Sequence, residues 1–585
     1  MSQPSTSSDS WAARQGRPIF LTLASGLLAG AIGLAGCEGG TSAAASGTPA
    51  NAAPAAAFAL SPAAPTANQV VQFSDTSTGH PTSWSWTFGD GGTSAAQHPT
   101  HVYSAPGTVA VSLTARNAAG SATSTRNVLV SPESTTPSTL GIVLGRPTDN
   151  SIVASVMADP GTEVYFEYGT SPGTYTGRTL VGTTPASGPM VVAFSGLRAD
   201  TPYYYRARSR PPTEVDYRID TEHAFHTSRL PGSSFTFVVQ ADPHLDANSS
   251  TAVYRQTLLN ELADRPDFMV DLGDTSMVEK CAIDGSTLCA APASPSLAPV
   301  WARYALMRSY FDLTAHSVPL FMVLGNHDGE AGWLSDGSSA SLDALAVTTR
   351  KTFFPNPEPD GFYTGNSERS PGIGLRQNYY AFEWGDALIV VLDPYTYTLR
   401  KPGQDGWGWT LGATQYHWFA RTLAASRARF KFVFSHHMLG GNGSEVRGGA
   451  AFAPFFEWGG RNLDGTWAFD KQRPGWPAPI HQLLVDNRVT AWLHGHDHLY
   501  ARESVDGVIY QEVPQPSLGR YDMPNPDAGY GYQGTTGVDI FPSSGHLRIS
   551  VSATEVRVDY VRSVAAADET STRRNGTVVQ SYVVR

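Results

Sequence analysis

The chain changes its hydrophobic rhythm three times. From 58 to 132, short runs in which apolar and polar positions alternate, such as Val109-Ala110-Val111-Ser112-Leu113-Thr114, are separated by Gly, Asp and Asn turns. That is the pattern of half-buried strands in a small β-sandwich. After a Ser/Thr/Pro linker the alternation returns over 138–229, in Val164-Tyr165-Phe166-Glu167-Tyr168-Gly169 and again around Tyr203-Tyr204-Tyr205-Arg206, which predicts a second all-β unit. From 234 to 585, continuous apolar runs of strand length alternate with helical stretches at 302–311 and 414–425, the signature of an α/β unit. The late apolar runs 508–512, 547–551, 556–561 and 578–584 are expected to complete its second sheet. Ahead of all this, 38–57 holds Gly, Ser, Thr, Ala and Pro with almost no large apolar side chain and is expected to be a tether.

Composition narrows the class. At 585 residues with Lys+Arg 40 against Asp+Glu 51 and a net charge of -11, the chain lacks the basic field that non-specific nucleic-acid binding needs. Charged residues are 16% of the chain and Gly 57 plus Pro 41 are abundant, which suits turn-rich β structure in an exported protein. Arg14 and Arg17 precede an uncharged, largely apolar run over 18–36, the n-region and h-region of an export signal. The run ends in Leu34-Ala35-Gly36-Cys37, which resembles a bacterial lipobox; the resemblance implies lipidation of Cys37, a signal segment over 1–37, and a protein held at the cell envelope outside the cytoplasm. Of the 3 cysteines, Cys281 and Cys289 then remain as a disulfide candidate, as expected under oxidising conditions.

Chemistry concentrates after five apolar runs. The run 235–240 leads to Ala241-Asp242-Pro243-His244, 267–272 to Gly273-Asp274, 319–324 to Gly325-Asn326-His327-Asp328, 430–434 to Ser435-His436-His437, and 489–493 to His494-Gly495-His496-Asp497-His498. Ligands of α/β sheets gather at the carboxyl ends of strands, so clusters far apart in sequence can converge. Their His, Asp and Asn side chains suit borderline-hard metal ions such as Fe, Mn or Zn, and there are enough of them for two ions.

Three resemblances follow from these residues. Trp86-Thr87-Phe88-Gly89-Asp90-Gly91 with Pro99, His101, Tyr103 and Gly107 resembles the PKD-type, immunoglobulin-like domain, in which His101 is structural; such modules imply spacing or glycan or protein contact. Ser195-Gly196-Leu197 followed by Thr201-Pro202-Tyr203-Tyr204-Tyr205-Arg206 is similar to fibronectin type III-like domains, notably the one preceding the catalytic domain of purple acid phosphatases. The ordered set DxH, GD, GNHD, H, GHxH resembles the calcineurin-like metallophosphoesterase superfamily. Together they imply two N-terminal all-β immunoglobulin-like sandwiches followed by an α/β/β/α metallophosphoesterase sandwich.

By position, the resemblance implies one metal held by Asp242, His244, Asp274 and His498 and a second held by Asp274, Asn326, His436 and His496, with Asp274 bridging. It implies His327 as general acid or transition-state stabiliser, oriented by Asp328. Three departures from purple acid phosphatases stand out: Met277 where they carry a metal-binding Tyr, Asp242-Pro243-His244 where they carry DxG, and His436-His437-Met438, which leaves His437 open as a neighbouring group or as the ligand itself. Among the long insertions, Trp407, Trp409, Asn442, Arg447 and Trp458 are candidates to wall a substrate cleft or to pin the loops. The expected activity is hydrolysis of phosphate monoesters by in-line attack of a metal-bound hydroxide, with phosphodiester or nucleotide cleavage as the alternative on the same site. A lipoprotein for adhesion or glycan binding with a degenerate catalytic domain is the reading from another class, and metal-dependent turnover separates the two.

Overall fold

The computed structural model describes residues 52–61, 65, 70–103, 105–130, 140–246, 248–279, 295–403, 405–441, 446–522, 532 and 538–585. Cys37, Cys281, Cys289 and Asn442 lie outside the described residues. Among the described residues no helix is long and apolar enough to cross a membrane.

The first unit pairs a three-stranded sheet with a four-stranded sheet whose long hairpin joins Gly107–Asn117 to Gly120–Val130. Trp86, Phe88, Phe73, Tyr103 and Leu113 fill the space between them. His101 stacks on Phe88 at a centroid distance of 4.1 Å and its Nε2 lies 2.7 Å from Asp90 Oδ2, a packed position. The second unit is again two sheets, closed over Phe166, Phe194, Tyr205 and Phe225.

Numbered from its first strand, the third unit contains β1 (Phe235–Gln240), α1 (Thr251–Ala263), β2 (Phe268–Asp271), α2 (Leu297–Phe311), β3 (Leu320–Met322), α3 (Leu342–Phe353), β4 (Tyr380–Trp384), β5 (Ala387–Val391), α4 (Gly412–Ala425), β6 (Phe430–Phe434), α5 (Ile480–Asp486), β7 (Ala491–His494), β8 (Tyr500–Val505), β9 (Val508–Glu512), β10 (Gly545–Val551), β11 (Val556–Arg562) and β12 (Val578–Val584). One sheet runs β3-β2-β1-β10-β11-β12, with the first three strands parallel. In the other, β4-β5-β6-β7-β9-β8 form the body, and β5, β6, β7 and β9 are parallel.

Strand alternation explains the layers. Phe237, Val239, Phe268, Val270, Phe321, Ile389, Phe432 and Leu493 point inward and fill the space between the two sheets. Val238, Met269 and Met322 point outward under α1, α2 and α3, while Leu388, Val390, Val433 and Trp492 point outward under α4 and α5. The strands β1, β2, β3, β5, β6 and β7 are therefore apolar on both faces, which is why their runs looked continuous. Each large side chain buried this way contributes about 1.5–3 kcal/mol. Of the late apolar runs, only 508–512 joins the second sheet. β10 pairs antiparallel to β1, so that Leu547, Ile549 and Val551 share the inner core, and β10–β12 extend the first sheet instead of the second.

The second β unit docks on α2. Arg308 donates to Ser155 O at 2.7 Å, Gly141 O at 3.1 Å and Phe353 O at 2.9 Å, and the Leu144 amide donates to Ala315 O at 2.9 Å.

Candidate metal centre

All five sequence clusters follow the carboxyl ends of parallel strands, β1, β2, β3, β6 and β7, and meet at one rim of the sandwich. The turns that bring them together are tight. Gly273 has φ +97°, and a Cβ on it would lie 2.3 Å from the Gly325 amide nitrogen; a Cβ on Gly325 would lie 2.0 Å from that of Asp274. Only glycine lets these two loops touch. Asp242, His244, Asp274, His496 and His498 themselves adopt left-handed backbone, with φ between 50° and 82°, at a cost of roughly 1–2 kcal/mol each.

Hydrogen bonds hold that strain. The Asp242 amide donates to Gly273 O at 3.0 Å and the His244 amide to Asp274 O at 3.2 Å. The His496 amide donates to Asp242 Oδ2 at 2.8 Å, and His436 Nδ1 lies 3.0 Å from Leu272 O, bridging the two sheets. Asp328 accepts from Gly325 (2.8 Å) and Asp274 (3.0 Å) on one oxygen, and from Thr275 (2.9 Å) and Ser276 (2.8 Å) on the other. Its carboxylate is thus a staple between the β2 and β3 loops, a placement different from the expected partnership with the His327 ring. Arg303 of α2, which the sequence did not single out, donates to Ser276 O at 2.8 Å and His244 O at 3.1 Å and fastens the β1 and β2 loops from beneath.

Two groups of side chains result. Asp242, His244 and His498 bring ligand atoms together, as do Asp274, His436 and His496, each set within 4.8 Å. Asp274 Oδ2 lies 3.5 Å from His244 Nε2 and 3.4 Å from His436 Nε2, within reach of both groups. Asn326 Oδ1 is 3.1 Å from His436 Nε2. Burial alone would depress His436, but the Asp274 and Asp242 carboxylates outweigh it and raise it to about 9. Burial likewise works against the charge on Asp242, and His436 and His498 overcome it, holding the carboxyl well below its usual range.

These residues fit divalent ions. Asp242 Oδ1 and His244 Nε2 are buried without a hydrogen bond, facing each other at 3.5 Å, and His496 Nδ1 faces His436 Nε2 at 3.3 Å. Convergent, solvent-free lone pairs of this kind are what a cation satisfies. At the half-open side stands His327, its amide pinned to Asp274 Oδ1 at 2.8 Å and its ring 6.4 Å from that of His244.

Residues 235–500 match the family model for the calcineurin-like phosphoesterase, and 51–131 that for the PKD domain. Residues 235–500 form a calcineurin-like phosphoesterase domain. The chain is similar in fold to the solved structure of PhoD, with a TM-score of 0.54 and 16% identity over 76% of this chain and 89% of that one. Its PKD domain is similar to the PKD1 domain of Vibrio anguillarum Epp, 30% identical over 14% of this chain and 98% of that one with a TM-score of 0.13. It also matches the PKD1 domain from the Vibrio cholerae metalloprotease PrtV, 31% identical over 14% and 98% with a TM-score of 0.12. No curated protein matches the chain.

Within the phosphoesterase domain the other candidates take structural positions. His437 belongs to neither ligand group but neighbours one: its Nδ1 lies 2.7 Å from Met438 O, its ring packs edge-on against Trp409 and Tyr395, and it stands 5.3 Å from the His496 ring. Arg447, expected to face substrate, instead donates to His496 O at 2.9 Å and Asp497 Oδ1 at 3.1 Å, so it supports the β7 loop. Trp407 donates to Asn462 Oδ1 at 2.9 Å, Trp458 donates to Tyr510 Oη at 2.8 Å, and both are buried with Trp409; they pin the insertions. His494 stacks on Trp492 at 4.0 Å. Met277 is buried and offers no phenol to the centre.

Proposed function

We propose that this chain is an extracytoplasmic phosphoesterase that hydrolyses phosphate monoesters at a dinuclear metal centre. The observation that carries it is the pair of His/Asp groups with Asp274 in reach of both, inside a calcineurin-like phosphoesterase domain. Asp242, His244 and His498 would hold one ion and Asn326, His436 and His496 the other, with Asp274 shared. Ions there supply Lewis acidity toward the phosphoryl oxygens and an activated water.

The chain's own part is positioning and proton transfer. Asp328 and Arg303 fix the loops that set the spacing, and His436 is aimed by its Nδ1 contact with Leu272 O. As the new bond from water to phosphorus forms and the ester P–O bond breaks, the departing oxygen needs a proton; His327, on the half-open side, is placed to give it. Arg14 and Arg17, the apolar run 18–36 and Cys37 support export and lipid anchoring at the cell envelope, which mass spectrometry of membrane-extracted protein tests as an acyl group on Cys37. The PKD domain supports an additional glycan or protein contact.

The deciding experiment strips the protein with chelator, reloads it with Mn, Zn or Fe and follows hydrolysis of 4-nitrophenyl phosphate and bis(4-nitrophenyl) phosphate in parallel. Metal-dependent release from the monoester in excess of the diester is expected. Preference for the diester would move the assignment to phosphodiesterase, and no turnover with any of the metals would favour a binding lipoprotein.

A further inference from the structure

Next to the metal groups lies a cleft of about 200 Å³ that the steps above leave unused. It is lined by the ligand candidates His244 and His498 together with Asp246, Asn248, Gln515 and Arg520. The segments that carry these residues are braced. The Ser250 amide donates to Ser517 O at 2.7 Å, Ser517 Oγ donates to Pro243 O at 2.8 Å, and the Gln515 amide donates to Ser543 Oγ at 3.0 Å. The segment after β1, which carries Asp242 and His244, is thereby tied to the segment after β9, which carries Gln515 and leads to Arg520, so the backbone approaching Arg520 is anchored beside the ligands.

Charge distinguishes this wall. Arg303 is buried and spent on backbone carbonyls, and Arg447 on the β7 loop. Among the described residues lining the cleft, Arg520 is the one arginine or lysine; its side chain is 63% exposed and its guanidinium is 3.5 Å from Asp522, itself 54% exposed, a loose pair of the kind that exchanges readily. The acid on the wall, Asp246, turns its carboxylate to His244 Nδ1 at 3.6 Å and accepts the Asn248 amide at 2.9 Å.

We propose that this cleft receives the leaving group of the ester, and that Arg520 selects phosphate esters whose leaving group carries a second anionic group. The inference rests on the phosphoesterase reading. Gln515 and Asn248 are neutral, so discrimination by charge falls to Arg520, whose planar, permanently charged head pairs well with carboxylate or phosphate.

Two substrates of matched shape isolate the charge: 4-carboxyphenyl phosphate and 4-carbamoylphenyl phosphate. With metal-loaded protein at low ionic strength, Arg520→Gln should lower the preference for the carboxylate by about three- to fivefold, the size of one exposed ion pair. The change should sit in KM, with Arg520→Lys retaining part of the preference and added salt removing it. The non-hydrolysable pair 4-carboxybenzylphosphonate and 4-carbamoylbenzylphosphonate reads the same difference by calorimetry without turnover. An unchanged preference in Arg520→Gln, or no preference in the wild type, overturns the subsite. Preferential phosphonate binding with no ester turnover would leave the subsite standing and overturn the phosphoesterase reading; turnover without preference would do the reverse.

Discussion

Two regions of this molecule gather histidines, and carboxylates are arranged around them in different ways. At the metal rim are His244, His436, His496 and His498; in a cavity of about 700 Å³ between the second β unit and the phosphoesterase domain are His223, His226 and His316. The rings are equally close, 4.5 Å between His244 and His498 and 4.1 Å between His223 and His316. The carboxylates differ. At the rim, Asp242 and Asp274 come within 3.4–3.8 Å of ring nitrogens and raise His436 against its burial. In the cavity each carboxylate faces a single ring, Asp220 at 3.9 Å from His223 and Asp200 at 3.8 Å from His226, and burial, helped by His316, lowers His223 to about 3. Burial lowers His316 as well. Carboxylates shared among several rings, as Asp242 is with His244, His436 and His498, gather them into a ligand set; a carboxylate that faces one ring leaves burial to decide its charge.

The contrast breaks most sharply at Asp274. Asp274→Asn keeps shape and volume but removes the charge within reach of both groups, so hydrolysis should fall by about a thousandfold or more, several kcal/mol of transition-state stabilisation. Metal analysis should show loss of bound ion while circular dichroism stays native; full activity would refute the shared role.

Next in size is the acid response of the cavity. Folded His223 stays neutral down to about pH 3, whereas in the unfolded chain an imidazole takes up its proton near pH 6.5. Between those values the unfolded state binds more protons, so stability rises with pH and is lost as pH falls through that window. The slope is about 1.4 kcal/mol per pH unit for one group. Urea unfolding from pH 7 to pH 4 should show it as one share of a slope to which the depressed His437 and His494 also contribute, and His223→Gln should lower the slope by that share; an unaltered slope in the variant would assign the acid sensitivity elsewhere.

A smaller effect is expected at the support of the β7 loop. Asp497 accepts from Arg447 at 3.1 Å, Gly448 at 2.8 Å and Tyr532 at 2.9 Å. Asp497→Asn should weaken metal affinity by about 10–100-fold, as loss of an outer support does, with kcat recovering at saturating metal. Least of all, His316→Gln should leave metal content and kcat within about twofold of wild type, the scatter between sites that share no partner. A larger loss there would mean that the two histidine regions are coupled.

The ligand candidates were legible because each sits directly behind an apolar strand, so local order in sequence encodes convergence in space. The layers were legible for the same reason, through runs apolar on both faces. What stayed hidden depends on contacts between distant segments. Arg303 and Arg308 look like ordinary polar positions of a helix until the carbonyls beneath them are known. Asp328 reads as a partner of its neighbour His327, while its oxygens are occupied by amides of the β2 loop. Arg447 and the insertion tryptophans left open whether they wall a cleft or pin the loops, and only their partners, Asp497, Asn462 and Tyr510, give them the second role. That three of the four late runs join the first sheet and only 508–512 the second was not legible, because alternation states which face is apolar and says nothing of which neighbour completes the ladder.

Helix α2 carries one further consequence. Arg303 grips the carbonyls of Ser276 and His244 on one side, and little more than a turn later Arg308 grips Ser155 and Gly141 of the second β unit on the other. The helix is a rigid bar clamped at two points, and the β unit is its abutment. A domain that contributes no ligand therefore bears mechanically on where His244 and Asp274 stand. Arg308→Met, which touches no ligand, should loosen the grip on metal and show it as faster ion release to a chelator.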